Sequence, residues 1–580
     1  MNTLSLGSIY HMPWLAYRHA LPDGRVCIRL RTGRNNFTSV QIKVSSTYDL
    51  PDFFAKASIF EMPVCYQDNL FDYYEIIFTP KDVRIRYLFV LRNENLVLKL
   101  DSTGLHVGEN WEEDVSKAFA FAYAYPTRAL PKWTEGCVGY QIFPDRFKRI
   151  SDSTEWVEPW NSDRVQNEFR FGGNIKGIID SIDYLHDLGI TLLYMTPLFL
   201  SDTSHRYNTF DYYQIDPLLG TKEELATLCK LLHEKGMRLI LDGVFNHCGL
   251  GFEPFIRAKE DENSPYRDWF HFDNKESCGY RTFGHWPYMP KLNMENEACA
   301  NYFIEVGRYW LREIGIDGWR MDVSPEVHPR FWRSFKEMML KENPDSLLIA
   351  ECWDDSREWL SQDDMFDSTM HYVLSRNIWD CFCKHQISAK QFDEGINQIL
   401  TLYTKRTHEV LWTFLGTHDT MRARTRASGD LRMLHIAAFF QFTYFGTPII
   451  YYGDELGMEG GDDPYCRFPM RWEQVDGNCT HQHFKRLASI RKNNPALYKG
   501  QYKTYMVMEN GLYAYERFTE DQHVLCVINT SLSPIHCQLP LTKELKERNL
   551  VHNLYNNTSL PVQFGCISVS LQVGEGLILQ

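Results

Sequence analysis

The sequence predicts an α/β fold: a (β/α)8 barrel with an inserted loop subdomain after its third strand, flanked by N-terminal and C-terminal β-sandwich domains. Three observations predict it. A phrase of amphipathic helix, glycine and apolar strand recurs through the middle of the chain. Eight strand candidates can be placed over roughly 350 residues, which favours a closed barrel over an open doubly wound sheet. Both ends of the chain lack long helical periodicity and carry β-type segments instead.

In chain order, residues 1–125 read as an all-β module with segments such as Val26 to Leu30 and Tyr87 to Leu91. Its last segment, Ala118 to Tyr125, alternates Ala with Phe119, Phe121, Tyr123 and Tyr125. One face of that strand is expected to be aromatic and to pack on the module's own core. Pro126, Pro131 and Gly136 punctuate a linker, and the barrel is assigned to 126–495. Its clearest unit opens with Thr221 and Glu224 as a capping box and runs Leu225, Leu228, Leu231 and Leu232 along one helical face. It stops at Gly236, where a left-handed cap is wanted before the strand Arg238 to Asp242. The same phrase precedes it, from Ile178, Ile182, Leu185 and Leu188 through Gly189 into Ile190 to Met195. It also follows, from Phe303, Val306, Trp310 and Leu311 through Gly315 into Ile316 to Asp322. Further strands are read at Val138 to Phe143, Leu347 to Glu351, Phe366 to Tyr372, Val410 to Leu415 and Ile449 to Tyr452. The wide gap after Asp242 holds the insertion, about 247–296, and the apolar run Ile436 to Tyr444, interrupted by Gln441, reads as a buried helix. No GxGxxG follows the first strand, which argues against a dinucleotide fold. Stretches such as Val524 to Ile528 make 496–580 the C-terminal sandwich.

Composition narrows the function. With 61 Lys+Arg against 75 Asp+Glu the 580-residue chain carries a net charge of −14 and no basic cluster, so nucleic acid is not an expected partner. No apolar stretch reaches the ~18 residues of a membrane span, and the first residues lack a signal-peptide pattern. Fifteen scattered Cys fit reduced thiols, without zinc spacing, and place the protein in the cytoplasm.

In such a barrel the strand ends carry the chemistry. They deliver Asp242 with His247, Arg320 with Asp322, Glu351, and His418 with Asp419. Two carboxyl groups facing a sugar ring split a glycosidic bond when one attacks the anomeric carbon and the other protonates the leaving oxygen. Asp322 suits the nucleophile, because Arg320 two residues earlier lies on the same strand face and is expected to keep it ionised. Glu351 suits the acid/base, since the neighbouring charges of Asp322 and Asp419 favour its protonated form. Asp419 and the histidines can hydrogen-bond ring hydroxyls, and Tyr207 offers a stacking face.

The segments Asp242-Gly-Val-Phe-Asn-His247, Gly318-Trp-Arg-Met-Asp322, Glu351-Cys-Trp353 and Gly416-Thr-His-Asp419 resemble the four ordered signatures of the α-amylase family. Met289-Pro-Lys-Leu-Asn293 resembles the mark of its neopullulanase, cyclomaltodextrinase and maltogenic amylase branch. Tyr140-Gln-Ile-Phe-Pro-Asp-Arg-Phe147, His205-Arg-Tyr207 and Tyr451-Tyr-Gly-Asp-Glu455 with Asp463, Pro464 and Arg467 fit it too. The resemblance implies a TIM barrel with Asp322 as nucleophile, Glu351 as general acid/base and Asp419 as transition-state stabiliser. His247, His418, Arg320 and Asp242 would line subsite −1, with Tyr207 stacking on its sugar. Trp353 would line the acceptor side, and Asp463 and Arg467 would bind substrate. The implied reaction is retaining hydrolysis of α-1,4 bonds in cyclodextrins, maltooligosaccharides or pullulan, with some transglycosylation, by a homodimer joined through the N-terminal domain. The rivals are an α-1,6-glucosidase or glucanotransferase on the same fold, or an inactive amylase-like glycan-binding protein.

The chain departs from the branch in places. It reads Val-Ser-Pro-Glu326 where the branch has Val-Ala-Asn-Glu, and Asp354 stands where a His follows. These changes sit toward the acceptor. The loop after Phe147, Lys-Arg-Ile-Ser-Asp-Ser-Thr, lacks the Asn/Asp cluster that binds calcium in relatives, and Asn174 replaces an Asp, so no calcium or other cofactor is expected there. Lys291 and Asn293 are read as holding the inserted loop, and Asp242 as orienting Arg320 or Tyr207 rather than touching sugar.

Overall fold

Each of the eight strand candidates forms a strand in the computed structural model, which describes residues 4–49, 54, 56–94, 96–109, 113–150, 157–360 and 363–580. They are β1 (Gly139–Ile142), β2 (Leu192–Met195), β3 (Arg238–Gly243), β4 (Gly318–Met321), β5 (Leu347–Ala350), β6 (Ser368–Thr369), β7 (Trp412–Phe414) and β8 (Thr447–Tyr451). The order in the sheet is β6-β5-β4-β3-β2-β1-β8-β7, and the strands pair in parallel. A parallel bridge from Met370 to Trp412, with the His371 N–H donating to the Trp412 carbonyl at 2.8 Å, joins the two outer strands and closes the barrel. The strands are buried almost throughout, which is why they read as continuous apolar runs rather than alternating ones.

The connecting helices obey the signals that located them. Helix Lys222–Glu234 starts on a complete capping box, in which Thr221 accepts from the Glu224 N–H at 3.2 Å and the Glu224 carboxylate accepts from the Thr221 N–H at 3.1 Å. Gly189, Gly236 and Gly315 have φ of 94°, 72° and 78°, the left-handed geometry that turns each helix back toward the sheet. Gly318 is required for another reason: a Cβ there would lie 2.1 Å from the Leu347 carbonyl, so β4 could not approach β5. Helix Leu431–Thr443 is buried nearly all round, and Gln441 is its useful polar residue. Its amide donates to the Thr413 and Ile449 carbonyls at 2.8 and 3.2 Å, fastening the helix across β7 and β8.

Between β3 and β4 the insertion contributes helix Glu253–Glu260 and a set of antiparallel bridges, among them His247 to Lys291 and Thr282 to Pro290, before helix Glu297–Glu313 resumes the barrel. After the short helix Pro495–Tyr498 come a six-stranded sheet and a two-stranded one around a core of Leu512, Leu525, Val527, Ile567 and Leu571.

Contacts divide the chain into two compact units, Met1–Leu130 with Ser361–Asp363 and Lys390–His408, and the remainder, which holds the barrel and the C-terminal sheets. The first unit contains a four-stranded and a six-stranded antiparallel sheet with Ile28, Leu30, Ile42, Phe89 and Leu91 in its core. The aromatic segment behaves differently from expectation. Only Phe119–Phe121 is strand, paired with Ile85 to Tyr87; Phe119 joins the core against Tyr87, and Phe121 lies under the Arg18 guanidinium. The alternation ends there, so Tyr123 stands 74% exposed beside Tyr125. Among the described residues, no helix is long and apolar enough to cross a membrane.

Candidate active site

The register of the sheet assembles the site. Asp242 on β3 lies directly beside Arg320 on β4, and Met321 beside Ala350 on β5, so Asp322 and Glu351, the residues that follow, emerge next to each other at the barrel mouth. Arg320 and Asp322 share a strand face because successive side chains alternate. Arg320 is completely buried, and its guanidinium is the hub. Nη1 donates to both Asp242 oxygens at 2.9 and 3.0 Å and to Asp322 Oδ1 at 3.0 Å, while Nη2 lies 3.0 Å from Glu351 Oε1.

One cation thus serves three carboxylates, which alters the expected electrostatics. Burial, reinforced by the Glu351 charge, pushes the Asp322 carboxyl well above the usual range, and Arg320 only partly offsets this. The expectation that Arg320 lowers the Asp322 carboxyl and keeps it ionised is therefore corrected: its charge is divided among three carboxylates, and its pull on Asp322 is outweighed by burial. Asp242 is likewise pushed up to about 6 by burial against the pull of Arg320 and the Tyr194 hydroxyl. A shared proton in this cluster belongs to the group rather than to one residue.

Glu351 is held at both oxygens. Oε2 accepts the Val323 N–H at 2.9 Å, and Oε1 accepts the indole N–H of Trp353 at 3.0 Å. Val323 has φ 45°, a left-handed conformation that a β-branched residue adopts only under constraint. That turn aims its N–H at Glu351. Ser324 fixes the same corner, donating to the Met321 carbonyl at 2.7 Å and accepting the Glu351 N–H at 3.2 Å. The Ser of Val-Ser-Pro-Glu thereby acquires a role in this chain.

A second network runs from β1 round to β7. The Gln141 amide donates to His418 Nδ1 at 2.7 Å, leaving the proton on Nε2, which lies 3.1 Å from Asp419 Oδ2 and bonds the Tyr207 oxygen. Tyr207 and Tyr194 then donate to Asp242 Oδ2 at 3.0 and 2.6 Å. Burial keeps His418 neutral, well below its ordinary value, and holds His247, which lies parallel to Phe283 at 4.9 Å, down to about 3. Both histidines are therefore neutral at ordinary pH. Asp242 thus contacts both Arg320 and Tyr207, the two residues it was expected to orient. On the far side of Asp419, Arg467 donates to its Oδ1 at 3.1 Å, to Asn167 at 3.0 Å and to the His418 carbonyl at 2.8 Å, and pairs with Asp463 at 2.9 Å.

The structure thus joins Asp242, Arg320, Asp322, Glu351, Trp353, Tyr207, His418, Asp419, Arg467 and Asp463 through a continuous set of contacts, with His247 on the neighbouring β3 loop. Lys291 holds the inserted loop, pairing with Glu326 at 2.8 Å, and Asn293 donates to the Asp268 carbonyl at 2.9 Å. Tyr194 and Asn167 escaped the sequence reading, while Gln141 and Ser324 stood inside quoted segments without an assigned role; a lone Gln inside an apolar strand was the available signal for Gln141.

For a cation, Asn174 is committed elsewhere. Its oxygen accepts the Gly177 N–H at 2.8 Å as a helix cap and its amide donates to the Ile150 carbonyl at 2.7 Å, while residues 151–154 of the expected loop lie outside the described residues. Glu516 and His523 on the C-terminal sheets and Glu544 in a turn beside them have candidate ligand atoms within 4.8 Å of one another, but Lys503 stands 3.9 Å from Glu516.

Carboxyl groups gathered on one guanidinium, at the mouth of a (β/α)8 barrel ringed by neutral donors, define a glycoside hydrolase. The catalytic domain of α-amylases matches residues 141–496, its N-terminal Ig-like domain 4–125 and the maltogenic amylase C-terminal domain 504–572. This chain belongs to the α-amylase family. It is 36% identical to the maltogenic α-amylase of Bacillus acidopullulyticus, covering 96% of this chain and 97% of that one. It is also 36% identical to a cyclomaltodextrinase of Geobacillus thermopakistaniensis, covering 92% of each. A solved cyclomaltodextrinase structure superposes with a TM-score of 0.93 at 33% identity, over 99% of this chain and 100% of that one.

Proposed function

We propose that the protein hydrolyses α-1,4-glucosidic bonds in cyclodextrins and maltooligosaccharides with retention of configuration, and transfers some glycosyl groups to sugar acceptors. The observation that carries this reading is that Asp322 and Glu351 share one guanidinium, at 3.0 Å each. This favours the short spacing, roughly 5 Å, of double displacement over the wider one that admits a water. Asp322 attacks the anomeric carbon while Glu351 protonates the leaving oxygen; Glu351 then takes the proton of the water that releases the sugar. Asp419, fixed by Arg467 and His418, stabilises the oxocarbenium-like charge. Tyr207, His247, Asp242 and Arg320 shape the sugar site, Trp353 meets the acceptor, and Asp463 with Arg467 bounds the opposite end.

We also propose that the enzyme needs no calcium at the Asn174 loop, whose amide bonds an oxygen where a cation would need one. We further propose that it works in the cytoplasm, which its fifteen free thiols support, and as a homodimer through the N-terminal unit, whose exposed Trp14 and Tyr48 suit an interface. Glu351→Gln is expected to lower β-cyclodextrin turnover at least a thousandfold with the melting temperature nearly unchanged, and proton NMR of the wild-type reaction should show the α-anomer first. Unchanged turnover, an initial β-anomer, or cleavage of isomaltose alone would refute the reading.

A further inference from the structure

We propose that Trp353 is a positioning residue for Glu351, coupling the acceptor side of the cleft to the proton that Glu351 gives and takes. The inference rests on the acid/base role assigned to Glu351 above. Trp353 stands two residues beyond that carboxyl, and its indole turns back to donate from Nε1 to Glu351 Oε1 at 3.0 Å. One face of the indole is fixed: it lies over Tyr372 with ring centres 4.2 Å apart and planes 14° apart, and Tyr372 is held edge-on by Phe414 at 4.7 Å. The other face is open, leaving Trp353 41% exposed. The remaining groups on the carboxyl, Arg320 and the Val323 N–H, are set by β4 and its turn. Trp353 alone of the three presents a broad apolar face to solvent, where a departing or arriving sugar ring can stack.

An indole N–H only donates, so the bond favours the ionised carboxylate and opposes a proton on Oε1. In the first displacement Glu351 passes its proton to the glycosidic oxygen as the C–O bond breaks and Asp322 bonds the anomeric carbon. Trp353 stabilises the carboxylate so produced. In the second, water gives its proton to Glu351 as its oxygen replaces Asp322, and that bond must yield. A sugar seated on the open face engages the same ring and shifts the balance between the two states.

The other charged and titratable groups facing Glu351 are Arg320 and Asp322 beside it, Asp242 on β3 and Tyr194 on β2. Tyr372 faces it after β6 and His418 after β7, with Asp419 acting on Asp322 from the same loop. Trp353→Phe replaces none of these, keeps an aromatic ring to stack on Tyr372, and removes the donor together with the five-membered part of the indole. The test compares pH profiles of kcat/KM for wild type and W353F on β-cyclodextrin and on α-maltosyl fluoride, whose leaving group needs no proton. Limb positions do not depend on the fraction of active enzyme. W353F should move the basic limb on β-cyclodextrin upward by about one pH unit, the effect of losing a hydrogen bond to a charged group, and leave the fluoride profile in place. An unmoved limb with the loss confined to KM would reduce Trp353 to a sugar platform and overturn the inference. Persistent β-cyclodextrin turnover by E351Q would instead remove the acid/base assignment beneath it.

Discussion

Glu455 shows how a buried carboxyl behaves when its donors are neutral. Its Oε1 accepts the hydroxyls of Tyr140 and Tyr184, each at 2.7 Å, and its Oε2 accepts the Gly453 N–H at 2.8 Å. Burial outweighs these bonds and pushes it from 4.5 up to about 7. The folded chain therefore holds this proton more tightly than the unfolded chain. Full stability on this account is present below about 4.5 and is lost as pH rises toward 7, a difference on the order of 3 kcal/mol. Glu455→Gln should flatten that dependence, so its melting temperature changes less than that of wild type between pH 5 and pH 8. Equal slopes would show that the proton is not held there.

Among elements, the segment Lys405–His408 is fixed to the sheets of the N-terminal unit by charge as well as packing. Glu75 on strand Phe71–Phe78 meets Arg29 of strand Val26–Gly33 at 2.5 Å and Lys405 at 2.7 Å. Burial alone would raise the Glu75 carboxyl, but Lys405 and Arg29 together hold it well below the usual carboxylate range. Its stabilisation is present at neutral pH and declines as pH falls below the ordinary carboxylate value. Removing one partner of such a group typically costs about 3–5 kcal/mol. Lys405→Met should lower the melting temperature clearly at pH 7 and by a smaller amount near pH 3, and a deficit independent of pH would point to lost packing instead.

At the scale of the whole molecule, the barrel and the C-terminal sheets are joined through two buried arginines that face carbonyls rather than carboxylates. Arg491 donates to the Phe442 and Tyr444 carbonyls, both at 2.8 Å, and across to the Leu497 carbonyl at 3.2 Å, while Arg517 donates back to the Thr443 carbonyl at 2.5 Å and to those of Leu497 and Gly500, both at 2.9 Å. Burial pushes them down to about 9 and about 10, still charged at neutral pH. The carbonyls ending helix Leu431–Thr443 carry partial negative charge, which suits them as acceptors. At the Asn174 loop the side-chain amide already holds the Ile150 carbonyl and the side-chain oxygen caps a helix. Melting curves recorded with millimolar calcium and with a chelator should therefore coincide, and a calcium-dependent rise would refute the calcium-free reading.

The strands, their capping glycines and the carboxylates at their ends were legible because they depend on local rules. Apolar runs bury on both faces, a helix stops where a residue reaches positive φ, and a residue closing a barrel strand faces the mouth. Asp322, Glu351 and Asp419 could be picked out on that basis, and the order of the motifs named the family. The fate of Ala118 to Tyr125 was not legible, since strand pairing there ends at Phe121. Nor was the sharing of Arg320 among three carboxylates, the Gln141 to His418 bond, or the return of Trp353 onto Glu351. Sequence by itself determined which groups are delivered to the mouth. Only the tertiary structure decided where each proton is held, because that depends on distances, burial and competition between residues brought together from different strands.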